Sequence, residues 1–274
     1  KYVGWGAFAE DVFASHKPEW KAEREALRTL LSDAEYADAR ASTPNAHFTS
    51  PDVVRGMWDV LDHLGFDGGL AIEPSAGIGH FIGLTPDHVA PKTAWTAVEL
   101  DPTTGKIAKA LYGGSEVNIQ GYETLKRPSN YYDLAISNVP FGDYNITEKP
   151  YGRYPIHDFF FVKSLDKVRP GGVVAFVTSR YTMDRQDAGT RREFAKNADL
   201  IGAIRLPGGR KGAFARNAGT EVTTDILFLR KRVPGEKPFN GAKWIETKTA
   251  ETPEGPVAIN EYFADHPEMM MGEM

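Results

Sequence analysis

The chain has 274 residues, with 32 Lys and Arg against 37 Asp and Glu, a formal net charge of −5 at pH 7. That length allows one large domain or two small ones, and a composition of 41% hydrophobic and 25% charged residues excludes disorder, collagen and coiled coil for the chain as a whole. No apolar run approaches the roughly 18 residues of a membrane helix, and the absence of cysteine excludes disulfides, Cys-ligated metal sites and any thiolate nucleophile.

The chain begins at Lys1 and is expected to be part of a longer protein. Residues 1–45 read as a helical extension. Pro18-Glu19 opens a stretch with Trp20, Leu27, Leu30 and Leu31 at helical spacing, and Ser32-Asp33-Ala34-Glu35 has the form of a capping box for a second helix to about Arg40. Ser42-Thr43-Pro44-Asn45 is a loop, and Pro51 starts a helix that carries Val53, Val54, Met57, Trp58, Leu61 and Leu64 and closes at Gly65. From residue 70 short apolar runs (70–73, 95–99, 116–120, 133–137, 172–178, 200–205, 225–230) alternate with helical patterns near 104–112, 157–168 and 190–198. Such runs predict strands buried on both faces of a parallel sheet. Only a glycine-rich loop (208–219) separates the last two runs, so the final strand can be antiparallel. Residues 46–232 therefore form the α/β body, and the Pro-, Glu- and Met-rich residues 233–274 read as a linker or peripheral strap.

Three motifs fall at strand ends, where open parallel sheets bind ligands. Glu73-Pro74-Ser75-Ala76-Gly77-Ile78-Gly79-His80-Phe81 follows the first strand. Its glycines permit close backbone approach, but Ile82 stands where a dinucleotide motif has its third glycine, and the leading acid favours a ligand with positive charge over a phosphate. Glu99 closes the second strand 20 residues beyond Gly79, where an acid can take both hydroxyls of a ribose. Asn138-Val139-Pro140-Phe141 closes the fourth, and an amide, a backbone carbonyl and an aromatic ring in succession form a holder for a planar amino group.

Charge is unevenly spread. Residues 205–232 carry seven Lys and Arg against Glu221 and Asp225, a stretch able to contact phosphates. His157-Asp158 offers a catalytic pair or a helix start, and capping is the favoured role. The histidines have no metal-ligand spacing, so no metal site is expected.

The order and spacing of these motifs resemble the S-adenosylmethionine-dependent N6-adenine DNA methyltransferases. They are most similar to the methylase domain of the large methylase–helicase proteins of phages, plasmids and other mobile elements. The resemblance extends through Tyr2-Val3-Gly4-Trp5-Gly6, His47-Phe48-Thr49-Ser50-Pro51, Ile156-His157-Asp158-Phe159-Phe160, Val168-Arg169-Pro170-Gly171-Gly172, Ala203-Ile204-Arg205-Leu206-Pro207 and Gly219-Thr220-Glu221-Val222-Thr223-Thr224-Asp225. It implies a Rossmann-like class I methyltransferase fold: a mostly parallel seven-stranded sheet, helices on both faces and an N-terminal helical extension. It also implies S-adenosyl-L-methionine as cofactor, DNA as substrate, a helicase domain in the full-length chain, no membrane association, and a cytoplasmic location in a bacterial cell, phage- or plasmid-encoded.

Carried over by position, the cofactor set is His47, Phe48, Thr49, Glu73, Pro74, Ser75, Gly77, Gly79, Phe81, Glu99, Leu100, Tyr122 and Asn138. Phe48 and Thr49 would flank the methionine end, Glu73 would face the amino group, Glu99 would hold the ribose and Leu100 would pack on the adenine. The catalytic set is Asn138, Val139, Pro140 and Phe141. The family usually has a proline where Val139 stands, but the backbone carbonyl survives that change. The usual acid after the third strand is replaced by Gly121-Tyr122-Glu123, and Tyr122 is expected to pack on the cofactor ring instead.

The implied chemistry is direct transfer. Asn138 Oδ1 and the Val139 carbonyl would each accept one hydrogen of adenine N6, making it more nucleophilic toward a methyl held in line about 3–3.5 Å away. The target base would be flipped out of the duplex onto Phe141, with Arg205, Arg210, Lys211 and Arg216 on the phosphates. Lack of cysteine excludes C5-cytosine methylation. RNA adenine, protein glutamine and an inactive cofactor- or DNA-binding module of a helicase fusion stay open as alternatives.

Overall fold

A computed structural model describes residues 9–43, 48–209, 212–214, 222–252 and 255–271. The apolar runs become strands β1 (Gly69–Glu73), β2 (Thr93–Glu99), β3 (Glu116–Ile119) and β4 (Tyr132–Asn138), a small hairpin β5 (Asn145–Glu148) and β6 (Gly152–Pro155), then β7 (Val168–Ser179), β8 (Ala198–Leu206) and β9 (Thr224–Lys231). Seven of these form one sheet in the order β3-β2-β1-β4-β7-β9-β8. β1 to β4 and β7 run parallel, and β9 is antiparallel to both β7 and β8. The fold is the Rossmann-like methyltransferase fold that the motif order implies, with strand order reversing at the β1/β4 junction.

Burial on both faces follows from the period of two along each strand. On β7, Val174 and Phe176 join a core with Phe159, Phe161 and Leu165, whereas Ala175 and Val177 join the opposite core with Val54, Met57, Trp58 and Leu61. The first core is covered by α7 (Ile156–Lys167) and the second by α4 (Pro51–His63), which follows α1 (Ala9–Phe13), α2 (Lys21–Leu30) and α3 (Asp33–Ser42) in the chain. α4 starts at the expected proline, with Ser50 Oγ accepting from the Val53 N–H at 3.3 Å. Between β1 and β5 lie α5 (His80–Gly83) and α6 (Pro102–Leu111); after β7 come α8 (Tyr181–Asp184) and α9 (Gly189–Asn197).

Two segments are more closely integrated than their sequences suggest. α3, closed by the predicted Ser32/Glu35 capping box, packs on α6, so the extension lies against the α/β body. The tail is not a linker: β10 (Thr247–Thr252) and β11 (Gly255–Asn260) form a hairpin, and Trp244, Ile259 and Phe263 of the tail enter the main core. Asn260, fully buried, donates from Nδ2 to the carbonyls of Met183 (3.0 Å) and Trp244 (2.8 Å), and its N–H donates to Asp184 Oδ1 at 3.0 Å. A short α10 (Glu261–Asp265) follows it. No described helix is long and apolar enough to cross a membrane.

Candidate active site

The carboxyl ends of β1, β2 and β4 open onto a cavity of about 780 Å³. Its floor is the turn after β1. Gly77 and Gly79 sit at φ of 56° and 79°, left-handed values that favour glycine. A Cβ on Gly79 would collide with the Tyr112 ring, and one on Gly77 would crowd the Phe48 ring at 3.3 Å. The motif glycines are therefore required by both backbone and space.

Glu73 ends β1 at 2% exposure, and its Oε2 has no hydrogen-bond partner. Burial holds its carboxyl well above the usual range, eased by the N–H groups of Phe81 and Ile82 and raised further by Glu99. Glu99 accepts from the Gly77 N–H at 2.8 Å and the Asp101 N–H at 2.7 Å, and burial lifts its carboxyl too. Asp101 caps α6 through Oδ1, which accepts from the Thr104 N–H at 2.6 Å, while its buried Oδ2 has no partner. On the far wall, Asn138 closes β4, and the Val139 N–H donates to the Val177 carbonyl at 3.1 Å, pinning the motif to β7. Thr49 is tied to the turn by a 3.1 Å hydrogen bond between its carbonyl and His80 Nδ1.

Phe48, Thr49, Glu73, Pro74, Ser75, Gly77, Phe81, Glu99, Leu100, Tyr122, Asn138, Val139 and Pro140 all line this one cavity. Leu100 is 72% exposed at its rim. Tyr122 contributes to the wall, but its hydroxyl lies 3.1 Å from Ser164 Oγ, and its ring is packed on Phe160 with the Lys163 ammonium 4.9 Å from its centre. His47 lies outside the described residues. Phe141 is not among the lining residues; it is half-buried against both cores, so the expected stacking surface is displaced from it. Tyr144 and Phe160 present aromatic rings to the cavity instead.

Sequence reasoning missed two parts of the wall. Asp38, Ala41 and Ser42 of α3 cover one side, and Tyr144, Asn145, Ile146 and Thr147 of the β5 hairpin the other. The hairpin's only signal is a polar–apolar alternation beside Lys149-Pro150-Tyr151-Gly152. Lys163, buried, binds this hairpin to the turn after β3: its ammonium donates to Glu148 Oε2 (2.8 Å) and to the carbonyls of Tyr122 (2.8 Å) and Glu123 (3.3 Å). The electrostatics of the cavity are one-sided. Asp38, Glu73, Glu99, Asp101 and Glu123 line it, and no Lys or Arg is among the described lining residues.

The expected phosphate contacts need correction. Arg205 is 6% exposed and points inward, with Nε and Nη2 on the Asp225 carboxylate at 2.8 and 2.9 Å and Nη1 on Asp184 Oδ2 at 2.8 Å. A fully engaged buried guanidinium cannot reach DNA. Arg232 is likewise internal, on Asp199 Oδ1 at 2.7 Å, whereas Arg230 is partly exposed and paired with Glu236 at the surface, and Lys231 donates to Asn130 Oδ1 at 2.7 Å. Arg210, Lys211 and Arg216 lie outside the described residues. His157-Asp158 does not cap its helix either. Pro155 is the cap residue, and Asp158 Oδ2 accepts from Arg185 Nη1 (2.9 Å) and Thr190 Oγ1 (3.0 Å), a tie between α7 and α9. Among the described residues no His, Asp and Glu group has the geometry of a metal site.

No protein-family model matches the chain. Over 192 residues, 68% of this chain, it is 30% identical to the Defense against restriction protein B of Escherichia phage P1, and it spans 8% of that protein's length. A Listeria monocytogenes protein assigned to the class I S-adenosylmethionine-dependent methyltransferases superposes with a TM-score of 0.59 at 17% identity, covering 87% of this chain and 81% of that one. The methyltransferase subunit of a type I restriction-modification system of Streptococcus thermophilus superposes with a TM-score of 0.59 at 14% identity, covering 88% of this chain and 59% of that one.

Proposed function

We propose that the chain is an S-adenosylmethionine-dependent DNA methyltransferase that modifies the exocyclic amine of adenine. The observation that carries this is the cavity at the sheet's switch point: five carboxylates, no described cation, and the Asn138-Val139-Pro140 turn on its far wall. A nucleotide cofactor needs cations or free amides for its phosphates. This site instead suits a ligand that is cationic and rich in hydrogen-bond donors, as a sulfonium amino acid joined to adenosine is. The likeness to a type I modification subunit and to a phage protein named for defence against restriction supports DNA as the substrate.

The residues present fit that cofactor. Glu73 Oε2, buried and unsatisfied, is suited to its ammonium group, and ionises on meeting it. Glu99 keeps a spare lone pair on each oxygen for ribose hydroxyls while its other pairs hold Gly77 and Asp101. Bound there, the cofactor supplies an electrophilic methyl group. The protein's own work is on the acceptor. Adenine N6 is a weak nucleophile because its lone pair is delocalised into the ring. Asn138 Oδ1 and the Val139 carbonyl accept its two hydrogens and localise that pair, and the Val139 peptide is fixed for this by its bond to Val177. One N6 hydrogen is replaced by methyl and leaves as a proton to solvent, the sulfonium departing as a neutral thioether. Tyr144, on the open side, is the ring placed to stack on a flipped base. The chain spans 8% of the length of its phage relative, and a helicase is proposed as its partner on the resemblance alone.

The test is incubation with methyl-labelled S-adenosylmethionine and mixed duplex DNA, digestion to nucleosides, and chromatography for N6-methyladenine, with Asn138→Ala alongside. Label in N6-methyladenine that disappears in the variant is expected. Label in RNA adenine or in protein amide, with none in DNA, assigns a different acceptor. Cofactor binding without transfer to any of them makes the chain a binding module, and absence of both sinks the proposal.

A further inference from the structure

α3 has two faces with different duties. Tyr36 and Ala39, three residues apart, pack with Phe13, Leu27 and Leu31 in a small core of the extension. Asp38, Ala41 and Ser42, again three and four residues apart, line the large cavity. The helix that carries them is held at its start by a complete capping box: the Glu35 N–H donates to Ser32 Oγ at 3.3 Å and the Ser32 N–H to Glu35 Oε2 at 3.0 Å. Its flank packs on α6, whose first turn (Asp101, Pro102, Thr104) lines the same cavity. α3 thus borders the cavity beside the first turn of α6.

Asp38 is the chemically distinctive residue on that face. Ser42 Oγ donates to the Ala39 carbonyl at 2.9 Å, and Ala41 has no polar atom to offer. The Asp38 carboxylate has neither a hydrogen bond nor an ion pair among the described residues. A second unpartnered carboxylate oxygen, the buried Asp101 Oδ2, lines the same end. Two acceptors brought to one place from separate elements, with no internal donor between them, call for a ligand group with N–H or O–H donors.

We propose that α3 is the lid of the cofactor site and that Asp38 is a cofactor-binding residue, accepting hydrogen bonds from the donors of the adenosine moiety. This rests on the proposed cofactor. The lid adds an anionic acceptor to the cavity that Glu73 also lines. It also makes the helical extension part of the active site instead of a neighbour to it.

The experiment is calorimetric titration of the whole chain with S-adenosylhomocysteine, for the wild type, Asp38→Ala, Asp38→Asn and, as a control on the same helix, Asp33→Ala. Loss of a hydrogen bond to a charged acceptor predicts that Asp38→Ala weakens binding by about 10- to 100-fold, Asp38→Asn by less, and Asp33→Ala not at all. Thermal melting should move little in any of the three, since Asp38 has no internal partner to lose. Three analogues identify the donor: the inosine analogue lacks the adenine amine, and the 2′-deoxy and 3′-deoxy analogues each lack one ribose hydroxyl. Whichever removes the true donor binds the wild type more weakly, and Asp38→Ala adds no further loss with it. A wild type that binds while Asp38→Ala binds within twofold of it overturns the proposal and leaves the cofactor assignment standing. An Asp38→Ala penalty that persists in full with all three analogues overturns the hydrogen-bonding role. A wild type that does not bind at all overturns the cofactor assignment, and the role of Asp38 with it.

Discussion

Glu73 and Asp225 are both carboxylates at the carboxyl-end edge of the same sheet, and both are buried, at 2% and 0% exposure. Burial raises both, Asp225 to about 6 in spite of its arginine, and Glu73 well above its usual value. Their surroundings differ. Asp225 grips Arg205 with both oxygens, Arg205 reaches on to Asp184, and Asp184 accepts from the backbone of Asn260, so the charges link β8, β9, α8 and the tail. Glu73 faces a cavity with no described cation and leaves one oxygen unsatisfied. A buried charge that is fully partnered is part of the architecture, whereas one left open beside a cavity is a binding group. The half of the sheet around β1 is built to receive a ligand, and the half around β9 to hold itself together.

The contrast is broken most severely at Arg205. Arg205→Ala leaves two buried carboxylates without their cation, and a stability loss of about 3–5 kcal/mol is expected in denaturant unfolding. An Arg205→Ala chain of wild-type stability with weakened DNA binding would reverse the assignment made here. Asn138→Ala should do the opposite: turnover falls by about 100-fold or more, while the unfolding midpoint moves by less than about 1 kcal/mol in equivalent stability.

Glu73→Gln sharpens the point through pH. Cofactor affinity should fall by roughly 10- to 100-fold, from the loss of a charge-assisted hydrogen bond. Stability should not fall, because the amide removes an uncompensated buried acid. In the wild type the folded carboxyl titrates above its unfolded value. Between those two values the folded state binds the extra proton, so stability declines as pH rises across that window. The Gln variant should lack Glu73's share of this decline and keep the shares of Glu99 and Asp225, whose carboxyls burial also raises. Across the same window, cofactor binding to the wild type should release a proton, seen as a heat that depends on the ionisation enthalpy of the buffer, and Glu73→Gln should not.

Most of the fold was legible because two-sided burial writes itself as short apolar runs. The runs at 70–73, 95–99 and 133–137 lie within strands, and the antiparallel final strand was allowed by the short loop before it. The turn after β1 was legible because positive φ demands glycine at Gly77 and Gly79. What was not legible depends on who stands opposite. Arg205 looks the same in a sequence whether it meets a phosphate or Asp225. Phe141 occupies the motif position for stacking, yet its ring is half-buried against both cores. The tail reads as a strap because its anchors are single residues, Trp244, Asn260 and Phe263, with no periodicity to announce them. Asp38 was invisible for the same reason: the other carboxylates of the cavity, Glu73, Glu99, Asp101 and Glu123, lie more than 30 positions away.

The smallest effect separates the two kinds of cation within one stretch. Lys231 is engaged with Asn130 and the carbonyls of Asp166 and Val168. Lys231→Ala should lower stability modestly, by about 1 kcal/mol, and leave the salt dependence of DNA binding unchanged. Arg210 and Lys211 are proposed as phosphate contacts. Alanine at either should leave stability unchanged, weaken binding to all DNA sequences alike, and reduce the slope of log affinity against log salt by about 1 each. The slope counts displaced counterions, so it registers a phosphate contact and is blind to an internal tie. A slope that falls for Lys231→Ala and stays constant for Arg210→Ala and Lys211→Ala would place the DNA on the edge of the sheet and not over the loop, and the division between receiving and self-binding halves would have to be redrawn.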